Sequence, residues 1–140
     1  MADLATAIQV ALTSHAGQQD KAGQPYILHP LRLMLRMSTP EDMIVAVLHD
    51  VVEDSQITRA DLERMGFAEP ILDALDVLTH REEQSYEDYI AAIKQVPLAR
   101  RVKLADLEDN SNILRLSEVT QASLERLQKY HTAWQTLKEE

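Results

Sequence analysis

Residues 43–48 form an unbroken apolar run, Met43-Ile44-Val45-Ala46-Val47-Leu48, and four titratable side chains follow in six positions: His49, Asp50, Glu53 and Asp54. The run predicts a buried helix. If that helix continues to residue 54, at about 100° per residue His49 and Glu53 share one face and Asp50 and Asp54 the neighbouring one. Ionisable groups on an apolar helix are costly to bury unless they are paired or bound to a cation. An imidazole beside a carboxylate can reach one divalent ion, and two further acids a turn away can handle a water. The stretch predicts a metal site.

The rest of the chain is punctuated for helices. Three glycines (Gly17, Gly23, Gly66) and few β-branched runs argue against sheets and against a glycine-rich phosphate loop. Leu4, Ile8, Leu12 and His15 mark a first helix ending near Gly17. Residues 18–28 have no periodicity and predict a loop, after which Pro30 fits the first position of a short helix to about Met37. Thr39-Pro40-Glu41-Asp42 is a cap, a proline and two acids, which opens the helix carrying the run. Thr58 with Asp61 resembles a capping box, and Gly66 suits a helix stop. Further helices are predicted over 68–79, from Ser85 to before Pro97, over 97–110 and over 121–137. The expectation is one all-α domain spanning residues 1–140.

Composition narrows the chemistry. Without cysteine, a metal must be held by histidine and carboxylate, and disulfide frameworks are excluded. A net charge of -9 disfavours binding to nucleic-acid backbone. The start, Met1-Ala2-Asp3-Leu4, lacks the basic region of a signal peptide, and no stretch approaches the roughly 20 apolar residues of a membrane span. The expected partner is a small molecule rather than nucleic acid or membrane, and the expected location is cytoplasmic.

Two further positions complete a ligand set. His29 stands between the loop and a helix start, and Asp106 lies in Val102-Lys103-Leu104-Ala105-Asp106 with Asn110 four residues on. Alone, His29 would be a packed side chain, and Asp106 a surface partner of Lys103. With His49 and Asp50 they make two imidazoles and two carboxylates, a donor set that suits manganese, iron or zinc. The two imidazole rings must then lie within about a nanometre of each other, near the reach of one ion's coordination shell. Glu53 and Asp54 are candidates for positioning or deprotonating the water. His15 is expected to support the site by a hydrogen bond. Tyr86 and Tyr89 are set for packing or base stacking. Arg100, Arg101 and Lys103 form either a phosphate-holding patch or a solvated face, and His131 and Trp134 pack the last helix or an interface.

Four ordered motifs carry a resemblance. They are His15-Ala16-Gly17-Gln18, Lys21-Ala22-Gly23-Gln24-Pro25-Tyr26-Ile27-Leu28-His29-Pro30, Leu48-His49-Asp50-Val51-Val52-Glu53-Asp54 and Val102-Lys103-Leu104-Ala105-Asp106. Together they resemble the HD superfamily of metal-dependent phosphohydrolases, most closely the hydrolase domain of RelA/SpoT-type proteins and the small alarmone hydrolases. The resemblance implies the compact helical HD fold and a divalent ion, usually manganese, held by His29, His49, Asp50 and Asp106. It implies that Glu53 and Asp54 act on the hydrolytic water, that Asn110 contacts the sugar side of the substrate, and that Lys21 lies beside the nucleotide. The implied reaction removes the 3′-pyrophosphate of guanosine tetra- or pentaphosphate.

The chain departs from that pattern at Asp20, where an arginine is usual, at the acidic Glu108 and Asp109, and at His80, where a lysine often stands. Each lowers positive charge where an anionic nucleotide is expected. A misplaced unit charge at 4 Å costs about 4 kcal/mol at an effective dielectric of 20. Two other readings stand beside the alarmone hydrolase: an HD-type nucleotide phosphatase with another substrate, and a non-enzymatic nucleotide or metal sensor. Water-activating acids at 53 and 54 argue against the sensor.

Overall fold

Local capping sets most of the helix boundaries. In the computed structural model, which describes residues 2–139, the described residues form nine α-helices and no β-strand: α1 (Leu4–Ser14), α2 (Leu28–Leu35), α3 (Pro40–Leu48), α4 (Val51–Asp54), α5 (Arg59–Arg64), α6 (Glu69–Leu78), α7 (Tyr86–Lys94), α8 (Pro97–Asn110) and α9 (Gln121–Lys138). A 3-10 turn, Ile113–Arg115, lies between α8 and α9. Thr39 accepts the Asp42 backbone N–H ahead of Pro40, and Thr58 forms the reciprocal capping box with Asp61. Gly66, at φ +99°, closes α5 in a conformation that side chains with a Cβ rarely adopt. The all-α expectation is met. Among the described residues no helix is long and apolar enough to cross a membrane.

The apolar run lies at the centre. Ile44 through Leu48 are all buried, because α3 is covered by α1, α2, α6 and α8. Helix α8 touches α2, α3, α6, α7 and α9, so it joins both halves of the bundle. Two boundaries differ from expectation. The helix does not continue to residue 54: α3 ends at Leu48, His49 and Asp50 form a turn, and α4 restarts at Val51. The cause is the His49 ring, whose Nδ1 donates to the Ala46 carbonyl at 2.7 Å, the acceptor that a continuing ladder would offer to the Asp50 backbone. Pro30 is the third residue of α2 rather than the first, which the helix tolerates because N–H groups of the first turn have no intrahelical partner.

Leu72, on α6 and 1% exposed, tests the core away from the motifs. Leu72→Ala is expected to lower unfolding free energy by about 2–5 kcal/mol, measured by urea denaturation, while metal binding is retained.

Candidate metal centre

The break in the central helix turns side chains at 49 and 50 toward α2 and α8. One donor atom from each of His29, His49 and Asp50 lies within 4.8 Å of the others. The His29 and His49 ring centroids are 5.2 Å apart, inside the nanometre that a shared ion requires. Asp106, from α8, places Oδ1 at 2.8 Å from His29 Nε2 and 3.5 Å from His49 Nε2. The four residues that the motifs singled out are therefore brought together, 77 residues apart at the widest of these contacts.

The chemistry of this donor set fits a divalent cation. His49 donates from Nδ1 to Ala46, which leaves Nε2 as the free ring nitrogen. That atom is buried without a hydrogen-bond partner, and Asp50 Oδ2 stands 3.1 Å away. A lone pair facing carboxylate oxygens in a buried pocket is repulsive until a proton or a cation lies between them. Burial alone would push the His49 imidazole down, but the Asp50 charge and Asp106 outweigh it and raise its pKa well above the usual value. Burial likewise opposes the Asp50 charge, yet His49 beside it holds that carboxyl down to about 2. Asp106 is held well below the usual carboxylate range against its burial, first by the Lys103 ammonium and then by the two imidazoles. Lys103 Nζ lies 2.8 Å from Asp106 Oδ2, so the expected i, i+3 pair exists, but with the carboxylate buried rather than at the surface.

The surrounding groups fix this set. The Tyr26 hydroxyl donates to Asp50 Oδ2, and its ring lies between those of His15 and His29 at 4.8 and 5.6 Å. His15 is buried and its Nδ1 is 2.9 Å from Gln18 Oε1, while Gln18 Nε2 donates to Asp54 Oδ2 at 3.1 Å. His15 thus has its expected hydrogen bond. Asn110 Nδ2 donates to Asp106 Oδ1 at 3.0 Å. The acids at 53 and 54 diverge: Asp54 turns to Gln18, whereas Glu53 accepts the His80 backbone N–H beside Asp50. The protein around the Glu53 carboxyl, and then the Asp50 charge, raise its pKa.

Two clefts of about 250 and 190 Å³ flank the cluster. Together they reach the range of small-molecule pockets, roughly 300–1,000 Å³. The first carries Lys21, Arg32, Arg115 and Arg126 on its walls. The second holds Glu53, His80, Tyr86, Tyr89, Lys103 and Lys129. Asn110 and Tyr130 line both. Arg32, Arg115, Arg126 and Tyr130 were not anticipated, and only Arg32, three residues past His29 on α2, had a positional signal. Tyr89 is packed, with its hydroxyl donating to the Leu78 carbonyl at 2.7 Å, and Tyr86 lies under Lys129 Nζ at 4.1 Å. Arg100 and Arg101 do not form a phosphate patch: Arg100 donates to carbonyls at the end of α9 and Arg101 to Asp42. Trp134 packs on the core while His131 is exposed.

No protein-family model matches the chain. It is 30% identical over 124 residues to a guanosine-3′,5′-bis(diphosphate) 3′-pyrophosphohydrolase of Aquifex aeolicus, covering 80% of this chain and 18% of that protein. It is 31% identical over 125 residues to the bifunctional (p)ppGpp synthase/hydrolase SpoT of Escherichia coli, covering 79% of this chain and 18% of SpoT. This chain is a homologue of the SpoT/RelA-type proteins. It spans 18% and 15% of the length of the first two curated relatives it matches. A solved structure of a metazoan SpoT orthologue that hydrolyses ppGpp superposes with a TM-score of 0.79 at 21% identity, over 99% of this chain and 86% of that one. The helical fold is therefore that of the SpoT orthologue.

Against the SpoT/RelA-type pattern, the acidic departures carry less weight than their charges suggest. Asp20 accepts the backbone N–H groups of Ala22 and Gln24, each at 2.9 Å, and so ties its own loop. Glu108 accepts from Trp134 Nε1 at 2.8 Å and lies near Arg36, outside both clefts. Asp109 is buried and bonded by Arg32. The expected loss of positive charge in a nucleotide pocket is thus weakened for Glu108 and Asp109, which lie outside both clefts and are matched by cations, whereas Asp20 lines the first cleft. His80, where the resemblance leads one to expect a lysine, lines the second cleft.

Proposed function

We propose that the chain is one HD-type domain, residues 1–140, that hydrolyses a pyrophosphorylated nucleotide, with guanosine tetraphosphate the substrate class and a 3′-pyrophosphate the group removed. The observation that carries this reading is the convergence of His29, His49 and Asp50 donor atoms, with Asp106 beside them, at the junction of two clefts, the first of which is rich in cations. The names of the homologues support the substrate class. A cytoplasmic enzyme accords with a nucleotide substrate.

In this reading His29, His49, Asp50 and Asp106 hold the cation, manganese by preference, with iron or zinc as alternatives of the same donor set. Once bound, the ion would polarise a phosphoryl oxygen and acidify a water. Glu53 takes a proton from the attacking water as the water oxygen bonds to the phosphorus that carries O3′. The P–O3′ bond breaks, O3′ is protonated by solvent, and the products are GDP and pyrophosphate. Asp54 holds the Gln18 side chain that faces His15, and Asn110, whose Nδ2 donates to Asp106 Oδ1, offers the rest of its amide to the sugar side of the substrate. Lys21, Arg115 and Arg126 neutralise the phosphates in the first cleft.

The test is an assay of the purified protein with manganese on guanosine tetraphosphate, with GDP and guanosine monophosphate as controls. Release of pyrophosphate from the tetraphosphate supports the reading. Release of only orthophosphate, or turnover confined to the controls, replaces it with a nucleotide phosphatase, and binding without product replaces it with a sensor. Lys21→Ala is expected to raise KM roughly tenfold, about 1.4 kcal/mol, with kcat little changed, because a cleft-wall cation contributes equally to ground-state and transition-state binding.

A further inference from the structure

The two ring nitrogens of His29 face different carboxylates. Nε2, on the metal side, lies 2.8 Å from Asp106 Oδ1, and Nδ1, on the opposite side, lies 2.6 Å from Asp109 Oδ2. Asp106 and Asp109 are one turn apart on α8, so one helix supplies both groups. Asp109 is 4% exposed, which is costly for a carboxylate unless it is fully partnered. Its partners are present: Arg32 donates to the carboxylate from Nε at 2.8 Å and from Nη2 at 2.9 Å in the two-pronged geometry that fixes a carboxylate, Arg115 Nη1 donates to Oδ1 at 3.4 Å, and Arg115 Nη2 donates to the Asp109 backbone carbonyl at 2.7 Å. These contacts hold the Asp109 carboxyl below the usual range against its burial, the His29 hydrogen bond first and Arg32 next.

We propose that Asp109 is a positioning residue for the metal. It accepts the His29 Nδ1–H and so sets the tautomer in which the Nε2 lone pair points at the site, while Arg32 and Arg115 keep the accepting carboxylate charged and in place. A ring backed by a carboxylate is a stronger donor than one backed by a neutral acceptor. The two imidazoles differ in this respect: His49 is backed by the Ala46 carbonyl and His29 by Asp109. His29 is therefore the ligand whose donor strength this chain has raised. Asp109 is one of the acids by which the chain departs from the alarmone-hydrolase pattern, and its value lies behind the metal ligand rather than in the nucleotide cleft. The inference rests on the metal-site reading proposed above.

The test is titration of the metal-free protein with Mn2+, alongside nitrogen NMR of the His29 ring without metal, recorded at a pH high enough that the ring carries a single proton. In the wild-type protein Nδ1 should carry the proton and one equivalent of Mn2+ should bind. Asp109→Ala is expected to weaken Mn2+ binding roughly 10–100-fold and to shift the His29 ring toward the other tautomer. Asp109→Asn, which keeps an acceptor without the charge, should fall between and covers the case in which the alanine variant does not fold. Arg32→Leu separates positioning from mere structure: it should lower thermal stability while weakening Mn2+ binding less than Asp109→Ala, since Arg115 remains. Mn2+ affinity within twofold of wild type in both Asp109 variants, with an unchanged His29 tautomer, overturns the inference. A wild-type protein that binds no Mn2+ overturns the metal-site reading itself, and the inference with it.

Discussion

Asp50→Ala is expected to leave the purified protein without bound metal and to lower kcat/KM by about 10³-fold, or about 4 kcal/mol of transition-state stabilisation. The expectation follows from how the negative charge of the site is distributed. Asp106 is shared among Lys103, His29 and Asn110, so much of its charge is answered by protein. Asp50 is different: its carboxyl is held down to about 2, and besides His49 it meets only the Tyr26 hydroxyl. Of the two carboxylates among the four candidate ligands, it is the one whose charge no Lys or Arg side chain offsets within the described contacts, since Lys103 pairs with Asp106. Without it, two imidazoles and a committed aspartate remain, a weak set for a hard divalent ion. Elemental analysis and steady-state kinetics check the outcome, with circular dichroism melting as a control for folding. An alanine variant that retains one equivalent of metal and wild-type turnover would refute the site.

Helix starts in this chain were legible because their causes are local. Thr39, Thr58 and Ser85 each accept a backbone N–H three residues ahead, so the signal and the structure lie within one turn. The break at His49 was hidden for the opposite reason. An apolar run followed by helix-compatible residues predicts continuity, and only the aim of one imidazole at the Ala46 carbonyl stops the ladder. The candidate ligand residues stood out by type and order, since paired imidazole and carboxylate on an apolar background has few other uses. The meaning of Asp109 did not, because a charge in a sequence has a sign but no direction. Its direction depends on Arg32, 77 residues away, and on Arg115 beyond the end of α8. Arg126 and Tyr130 reach the clefts from α9, a segment whose residues show no chemical pattern apart from an amphipathic helix.

Glu53→Gln is expected to bind metal like the wild-type protein and to lose activity in kcat, by a factor on the order of 10²–10⁴, with KM changed little. The glutamine keeps an oxygen that can accept the His80 backbone N–H, so the short helix α4 and the ligands beside it stay in place. What it removes is a carboxylate on the wall of the cleft that also contains Asp50 and Asp106. Asp54→Asn should lose far less, about tenfold, the low end for a residue that acts through a neighbour. Asp54 lines neither cleft, and its carboxylate is spent on Gln18 and through it on His15. On the proposed reading, proton removal and loop support would be divided between these adjacent acids, Glu53 at the His80 N–H and Asp54 at Gln18. Metal content, kcat and KM measured for both variants decide the matter. Equal losses in the two would mean that the acids act as a single unit, and a Glu53→Gln variant within threefold of wild type would assign the water to another group.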